Sequence, residues 1–172
     1  LKFAGAKNRS IKRVPDDTTL VIDLNGSIKF ETIPWMKKAP KNLEHLQPPP
    51  RLPPALLVLD WPDRSEPRCE LTWWAQLLLA IKKDYTPGRV IISCMGAHGR
   101  TGTAMAALIL AGNPKISVEN AIKFVRGQHC KKAVESDDQV EYLRLFRPQE
   151  ESAWLDNAAS DGYTSFKGFT GY

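Results

Sequence analysis

The sequence predicts an α/β fold, a central mixed or parallel sheet flanked by helices. Three observations carry that expectation. Short apolar runs of strand length occur at residues 19–24 (TLVIDL), 55–59 (ALLVL) and 89–93 (RVIIS). Longer stretches follow in which apolar residues repeat at helical spacing. The order is strands, helix, strand, loop, then a run of helices, which suits a sheet with helices packed on it.

Residues 19–24 read as the first strand. Asn25-Gly26 is a tight-turn pair, and residues 27–33 are expected to return as a second strand. Residues 34–54 are irregular, and the proline-rich run 47–54 (QPPPRLPP) is expected to be stiff and extended, a rigid connector or a ligand for a proline-binding module. Residues 55–59 form a continuous apolar run, hence a buried strand. Asp60-Trp61-Pro62-Asp63 is a loop, because proline restricts the residue before it. Residues 72–83 predict a helix with one buried face, Pro87-Gly88 a turn, and 89–93 another short buried strand. An Ala/Leu-rich helix is expected over 101–111, stopped by Gly112-Asn113-Pro114. Two more helices are expected over 117–126 and 137–146, followed by Gly127 and Pro148. From 149 the chain turns polar, with spaced aromatics at Tyr163, Phe166, Phe169 and Tyr172. The organisation expected is one domain over 1–148 and a tail over 149–172. The tail is either mobile or an arm that docks its aromatics on another chain.

The bulk properties fit a globular domain. The chain has 172 residues, 42% hydrophobic and 9% aromatic. Its net charge of +5 favours anionic partners such as phosphate esters, acidic proteins or nucleic acid. Five of the basic residues, Lys2, Lys7, Arg9, Lys12 and Arg13, gather near the start, as a solvated surface would also arrange them. No apolar run reaches the roughly 20 residues of a membrane span. Residues 1–14 lack the apolar stretch of a secretory signal. Cys69, Cys94 and Cys130 are an odd number without metal-ligand spacing. They argue against a disulfide framework and for a reducing, cytoplasmic compartment. No metal site or cofactor is expected.

The stretch 90–102 carries the chemistry. An apolar strand ends at Cys94, five residues separate it from Arg100, and a helix then begins. A strand–loop–helix junction turns backbone N–H groups into the loop, and the helix adds partial positive charge. Such a nest binds a phosphate dianion and stabilises a thiolate. Cys94 is therefore the expected nucleophile. Arg100 can fork two N–H donors onto two phosphoryl oxygens. The expected phosphate-binding residues are Met95, Gly96, Ala97, His98, Gly99 and Arg100.

These residues resemble the protein tyrosine/dual-specificity phosphatase superfamily, whose pattern is His-Cys, five residues, Arg, then Ser or Thr, usually followed by Gly. This chain supplies Cys94, Arg100, Thr101 and Gly102. The resemblance implies a dual-specificity-phosphatase-like fold and a hydrolase of phosphoprotein monoesters, working through a phosphocysteine. Trp61-Pro62-Asp63, with Pro67 four residues on, resembles the family's mobile acid loop. A leaving alkoxide must be protonated as the P–O bond breaks, and the acid must be separate from the thiolate. Asp63 is the expected acid and Asp60 the alternative. Thr101 can donate to the departing thiolate. Gln139, in a helix that resembles the family's helical half, is expected to place the hydrolytic water. Ser136-Asp-Asp-Gln139 is also a ready-made capping box.

Some positions depart from the pattern. Ser93 stands where the family has a histidine that helps hold the loop. Ala97 stands where glycine is common, and a positive φ there would strain an alanine. His98 either faces the mouth and meets substrate or is a solvent-exposed imidazole. Lys7-Asn8-Arg9 with Pro15 is similar to the loop that frames phosphotyrosine in larger relatives, but Ser10 replaces the stacking tyrosine. These departures leave a second class open, a catalytically weak binding or structural module. An RNA 5′ phosphate and a phosphoinositide would fit the same loop. No aromatic stacking platform is evident beside it, which ranks nucleic acid low. Cys69 and Cys130 have no assigned role.

Overall fold

The computed structural model describes residues 1–7, 15–26, 28, 55–59, 61–67, 69–147 and 169–171. Within them lie five strands, β1 (Lys2–Lys7), β2 (Thr18–Asp23), β3 (Ala55–Val58), β4 (Arg89–Cys94) and β5 (Phe169–Gly171). Four helices accompany them, α1 (Leu71–Asp84), α2 (Gly99–Gly112), α3 (Val118–Gln128) and α4 (Asp137–Arg144). The sheet runs β3-β2-β4-β1-β5, and each pairing is parallel.

β4 lies at the centre of the sheet. Val90, Ile91, Ile92 and Ser93 are all buried, as a continuous apolar run between two parallel neighbours should be. One sheet face packs Phe3, Leu20, Ile22, Val90 and Ile92 against the helices. The other gathers Ala6, Val21 and Ile91, with Ile28 and Leu56 beside them. α2 is the hub of the helical layer. It is buried from Gly99 through Leu110, and α1, α3 and α4 all pack on it. Its small and apolar residues go all the way round, the pattern of a helix with no solvent face.

The two ends of the sheet differ in character. At the N-terminal ends, the Arg89 guanidinium donates to both Asp17 carboxylate oxygens at 2.9 and 3.3 Å. Lys2 Nζ adds an ion pair to Asp17 at 3.6 Å. These contacts hold the Asp17 carboxyl below its ordinary range, the Arg89 hydrogen bond most of all. At the C-terminal ends, Lys7 and Cys94 stand opposite each other in register, and Asp23 stands opposite Ser93. Buried Asp23 closes the turn after β2 by accepting the N–H of Asn25 at 3.2 Å and of Ile28 at 2.7 Å. Gly26 takes φ +62° in that turn, which an Asn-Gly pair supplies without strain.

Three elements differ from expectation. β1 was not foreseen, and Lys2 and Lys7 flank a strand whose centre, Phe3 to Ala6, is buried. The sheet is parallel throughout its described strands, one of the two arrangements expected. β3 is an edge strand, not a buried one, and Val58 is 47% exposed. Ile28 lies outside any strand because its N–H is turned onto Asp23. The rest of the expected return over 27–33, the proline-rich run 47–54, Asn8 to Ser10 and Asp60 lie outside the described residues. Of the expected tail, residues 169–171 form β5, with Phe169 in register with Phe3, and the others lie outside the described residues.

Candidate active site

β4 delivers Cys94 to the carboxyl edge of the sheet, and four bent residues, Met95 to His98, carry the chain into α2 at Gly99. Crevices at this edge of parallel sheets are where such folds bind ligands. Cys94 is buried, and Thr101 Oγ1 donates to its Sγ at 3.1 Å. That contact exists because Thr101 lies in the first turn of α2, directly above the strand end. Met95, the next residue along, is exposed at the mouth.

Arg100 is only 6% exposed. Its Nη1 donates to the Trp61 carbonyl at 2.8 Å, and its Nη2 pairs with Asp63 Oδ1 at 3.1 Å. Its Nε is buried and has no hydrogen-bond partner among the described residues. The structure thus joins Cys94 to Thr101 and Arg100 to Asp63. Asp63 itself is solvent-facing, with a side chain 70% exposed.

The Asp63 loop is pinned from below. The Trp61 ring is buried, and its Nε1 donates to the Ser65 carbonyl at 2.7 Å, which closes the loop on itself. Trp61 packs on Trp74 at 6.4 Å between ring centroids. Trp74 Nε1 donates to Tyr142 Oη at 2.6 Å, and Tyr142 donates to the Cys69 carbonyl at 3.2 Å. Burial pushes the Tyr142 phenol well above its ordinary range and raises the Cys69 thiol as well. Cys69 therefore belongs to this buried support. Arg64 takes φ +56°, an unfavourable conformation for a residue with a Cβ, and its carbonyl accepts the Ser136 hydroxyl at 2.9 Å. The N-cap of α4 therefore holds the loop that bears Asp63.

Gln139 is fully buried in the first turn of α4. Its backbone N–H donates to Ser136 Oγ at 3.3 Å, and its Oε1 accepts the Glu135 N–H at 3.0 Å. The capping arrangement expected from the sequence is present, displaced by one residue from the reciprocal box. Gln139 Nε2 has no partner among the described residues.

Ala97 adopts φ +58°, the left-handed conformation in which an alanine is strained by about 1 kcal/mol or more. The Ser93 hydroxyl donates back across the sheet to the Ile22 carbonyl at 3.4 Å. His98 is half-buried, and its Nδ1 lies 3.0 Å from Cys130 Sγ. That ring is therefore packed on the turn after α3 and is not the solvent-exposed imidazole that was one expectation. Two neighbours of the loop had no foreseen role: Cys130, and His129, whose Nε2 reaches the Ala97 carbonyl at 2.7 Å. The three cysteines are free thiols. Among the described residues, no helix is long and apolar enough to cross a membrane.

No protein-family model matches the chain. Two uncharacterised proteins of Methanocaldococcus jannaschii are 47% identical over 64 residues and 42% identical over 60 residues. Those stretches cover 37% and 33% of this chain, and only 41% and 35% of the relatives. The secreted effector protein SptP of Salmonella typhi is 30% identical over 105 residues, 56% of this chain and 19% of that protein. Among solved structures, Tk-PTP in its active form matches with a TM-score of 0.60 at 22% identity, over 86% of this chain and 92% of that one. Kinase associated phosphatase, with serine substituted for its catalytic cysteine, matches with a TM-score of 0.55 at 16% identity, over 82% and 74% of the two chains. The fold is that of the tyrosine and dual-specificity phosphatases. The chain resembles that superfamily in both its Cys94 loop and its Asp63 loop.

Proposed function

We propose that this chain is a phosphomonoester hydrolase acting on phosphoproteins, at phosphotyrosine or phosphoserine/threonine, through a phosphocysteine intermediate. The observation that carries the proposal is a pair of contacts at the head of α2: Thr101 donates to Cys94 Sγ, and Arg100, its neighbour in the chain, pairs with Asp63. Cys94 Sγ attacks phosphorus in line, and the S–P bond forms as the P–O bond breaks. Asp63 gives its proton to the leaving oxygen. The backbone amides from Met95 to Arg100 and the Arg100 guanidinium hold the transferring oxygens. The unpartnered Arg100 Nε supports that role, since a phosphoryl oxygen would satisfy a buried donor that otherwise costs about 1–3 kcal/mol. In the second step Asp63 takes a proton from water, the water oxygen attacks phosphorus, and Cys94 leaves as thiolate with the Thr101 hydroxyl on it. Gln139 places that water. Asp63 must leave the Arg100 guanidinium to do this work, so phosphate binding and release of the Asp63 loop are coupled. The phosphatase-like domain corresponds to residues 1–148 with its sheet completed by 169–171.

The test is hydrolysis of a small aryl phosphate. Cys94→Ser should abolish it, and Asp63→Asn should lower it by about 100-fold or more. Chelator-sensitive activity that survives Cys94→Ser would contradict the mechanism.

A second reading, a phosphate-binding module with negligible turnover, is favoured by Ser93 and by the strained Ala97. It predicts phosphopeptide binding without hydrolysis and slow alkylation of Cys94 by iodoacetate at neutral pH. The hydrolase predicts fast alkylation that inorganic phosphate blocks.

A further inference from the structure

The Cys94 loop contains a residue in a conformation that its side chain disfavours, and something must hold it there. Ala97, at φ +58°, has its carbonyl within 2.7 Å of His129 Nε2. A carbonyl only accepts, so Nε2 carries the hydrogen. The other ring nitrogen, Nδ1, is buried and without a partner among the described residues, as suits a bare lone pair. Burial lowers the affinity of the ring for a second proton, and the neighbouring His98 adds to that. The imidazole is therefore neutral, with one hydrogen, spent on Ala97.

His129 is itself fixed from two further sides. It caps the C-terminus of α3, where its backbone N–H donates to the Val125 carbonyl at 2.9 Å. Its ring lies against β1 at Gly5, where a Cβ would come within 2.6 Å of Nε2 and 2.8 Å of Nδ1. Gly5 is the residue that leaves room for the ring. Ser93, at the position where a loop-holding histidine was expected, is engaged with Ile22 instead.

A peptide unit is planar and trans, so its C=O and N–H point in opposite directions. Holding the Ala97 carbonyl toward His129 turns the His98 N–H away from His129. We infer that His129 is a positioning residue for catalysis: it locks the Ala97–His98 peptide so that the His98 amide faces the phosphoryl group rather than the Ala97 carbonyl oxygen. Released, that peptide could flip, and a carbonyl oxygen would then repel the anion the loop must hold. The inference rests on the proposed phosphatase chemistry.

The experiment compares wild type, His129→Ala and His129→Gln in two assays, aryl phosphate hydrolysis and orthovanadate binding. Loss of one oriented oxyanion donor typically costs about 100-fold or more in rate. His129→Ala should lower kcat by about that factor and weaken vanadate binding at least tenfold. His129→Gln, whose amide can donate to the same carbonyl, should recover a substantial part of both. A purely structural role would reduce the folded fraction but leave the vanadate affinity of the folded protein unchanged. Wild-type kcat and vanadate affinity within about twofold in His129→Ala, where wild type hydrolyses, overturn the inference alone. A wild-type chain that neither hydrolyses nor binds vanadate overturns the phosphatase chemistry, and the latch with it. If His129→Ala does not fold, the wild-type imidazole nitrogen resonances decide. The Nε2–H tautomer at neutral pH supports the latch, and an Nδ1–H tautomer or an imidazolium overturns it.

Discussion

Gly102 lies in the first turn of α2, two residues after Arg100, and Gly102→Ala tests how tightly that turn is seated. An added Cβ would fall 2.6 Å from Ala133 Cβ, 2.8 Å from the Val134 nitrogen and 2.9 Å from Ala133 Cα. Comfortable carbon contacts are about 3.5–4.0 Å, so the overlap approaches about 1 Å. Neither neighbour can swing aside. Ala133 has no rotamer, and its carbonyl and that of Val134 are each held at 3.0 Å by the Arg126 guanidinium. Overpacking of this kind costs about 1–3 kcal/mol. Alanine gains about 1 kcal/mol over glycine in a helix interior. The clash wins, with a net loss of up to about 2 kcal/mol. Gly127→Ala in α3 is the control, because nothing lies within 4 Å of its added Cβ, and it should gain up to about 1 kcal/mol. Urea denaturation of both variants reads the difference. Aryl phosphate turnover in Gly102→Ala should fall about 100-fold, because α2 carries Arg100 and Thr101 with it when it shifts by about 1 Å. Equal stability gains in the two variants would refute the account of this packing.

Other outcomes follow from the same contacts. Thr101→Val removes the donor to Cys94 Sγ, which leaves as thiolate in the proposed second step, and a hydrogen bond to a charged group is worth about 1.5–3 kcal/mol, so aryl phosphate turnover should fall at least tenfold. Ala97→Gly relieves about 1–2 kcal/mol of left-handed strain against about 0.5–1 kcal/mol of added chain entropy, so thermal unfolding should show no loss of stability. Tyr142→Phe leaves the buried Trp74 Nε1 without its acceptor and should cost about 1–3 kcal/mol in denaturant titration. The folded-state pKa of His129 lies below its ordinary 6.5, so its stabilising contribution is complete above that value and is lost as pH falls through the folded pKa. Thermal melts of His129→Gln should therefore decline less steeply than those of wild type below about pH 6.5.

The half of the molecule that holds the candidate site was the most legible in sequence. Val90, Ile91 and Ile92 form a continuous apolar run, and a Cys and an Arg with five residues between them, the Arg at the head of an Ala/Leu-rich helix, have few other uses. The Trp61-Pro62-Asp63 stretch was legible as a loop that bears a carboxylate, but its anchoring was not. The Trp61–Trp74–Tyr142–Cys69 chain joins positions far apart in sequence, and nothing in their spacing announces it. β1 escaped notice because KFAGAK has lysines at both ends and small residues of weak strand preference between them. Its burial comes from lying between β4 and β5, a tertiary fact. β3 misled in the opposite way, since ALLVL is apolar enough for the core yet sits at an edge. His129 carried no local signal at all. Its partner is 32 residues away, and its role depends on Gly5 leaving the ring room.

The most direct test of the central claim is to trap the intermediate. The full chain is mixed rapidly with an aryl phosphate, quenched in acid and digested, and the peptide containing Cys94 is weighed. The proposed chemistry predicts a transient gain of one phosphoryl group on Cys94. That gain should be absent in Cys94→Ser and longer-lived in Asp63→Asn, which lacks the base for the second step. Steady hydrolysis with no phosphoryl group on Cys94 at any quench time, or with undiminished rate in Cys94→Ser, would contradict it.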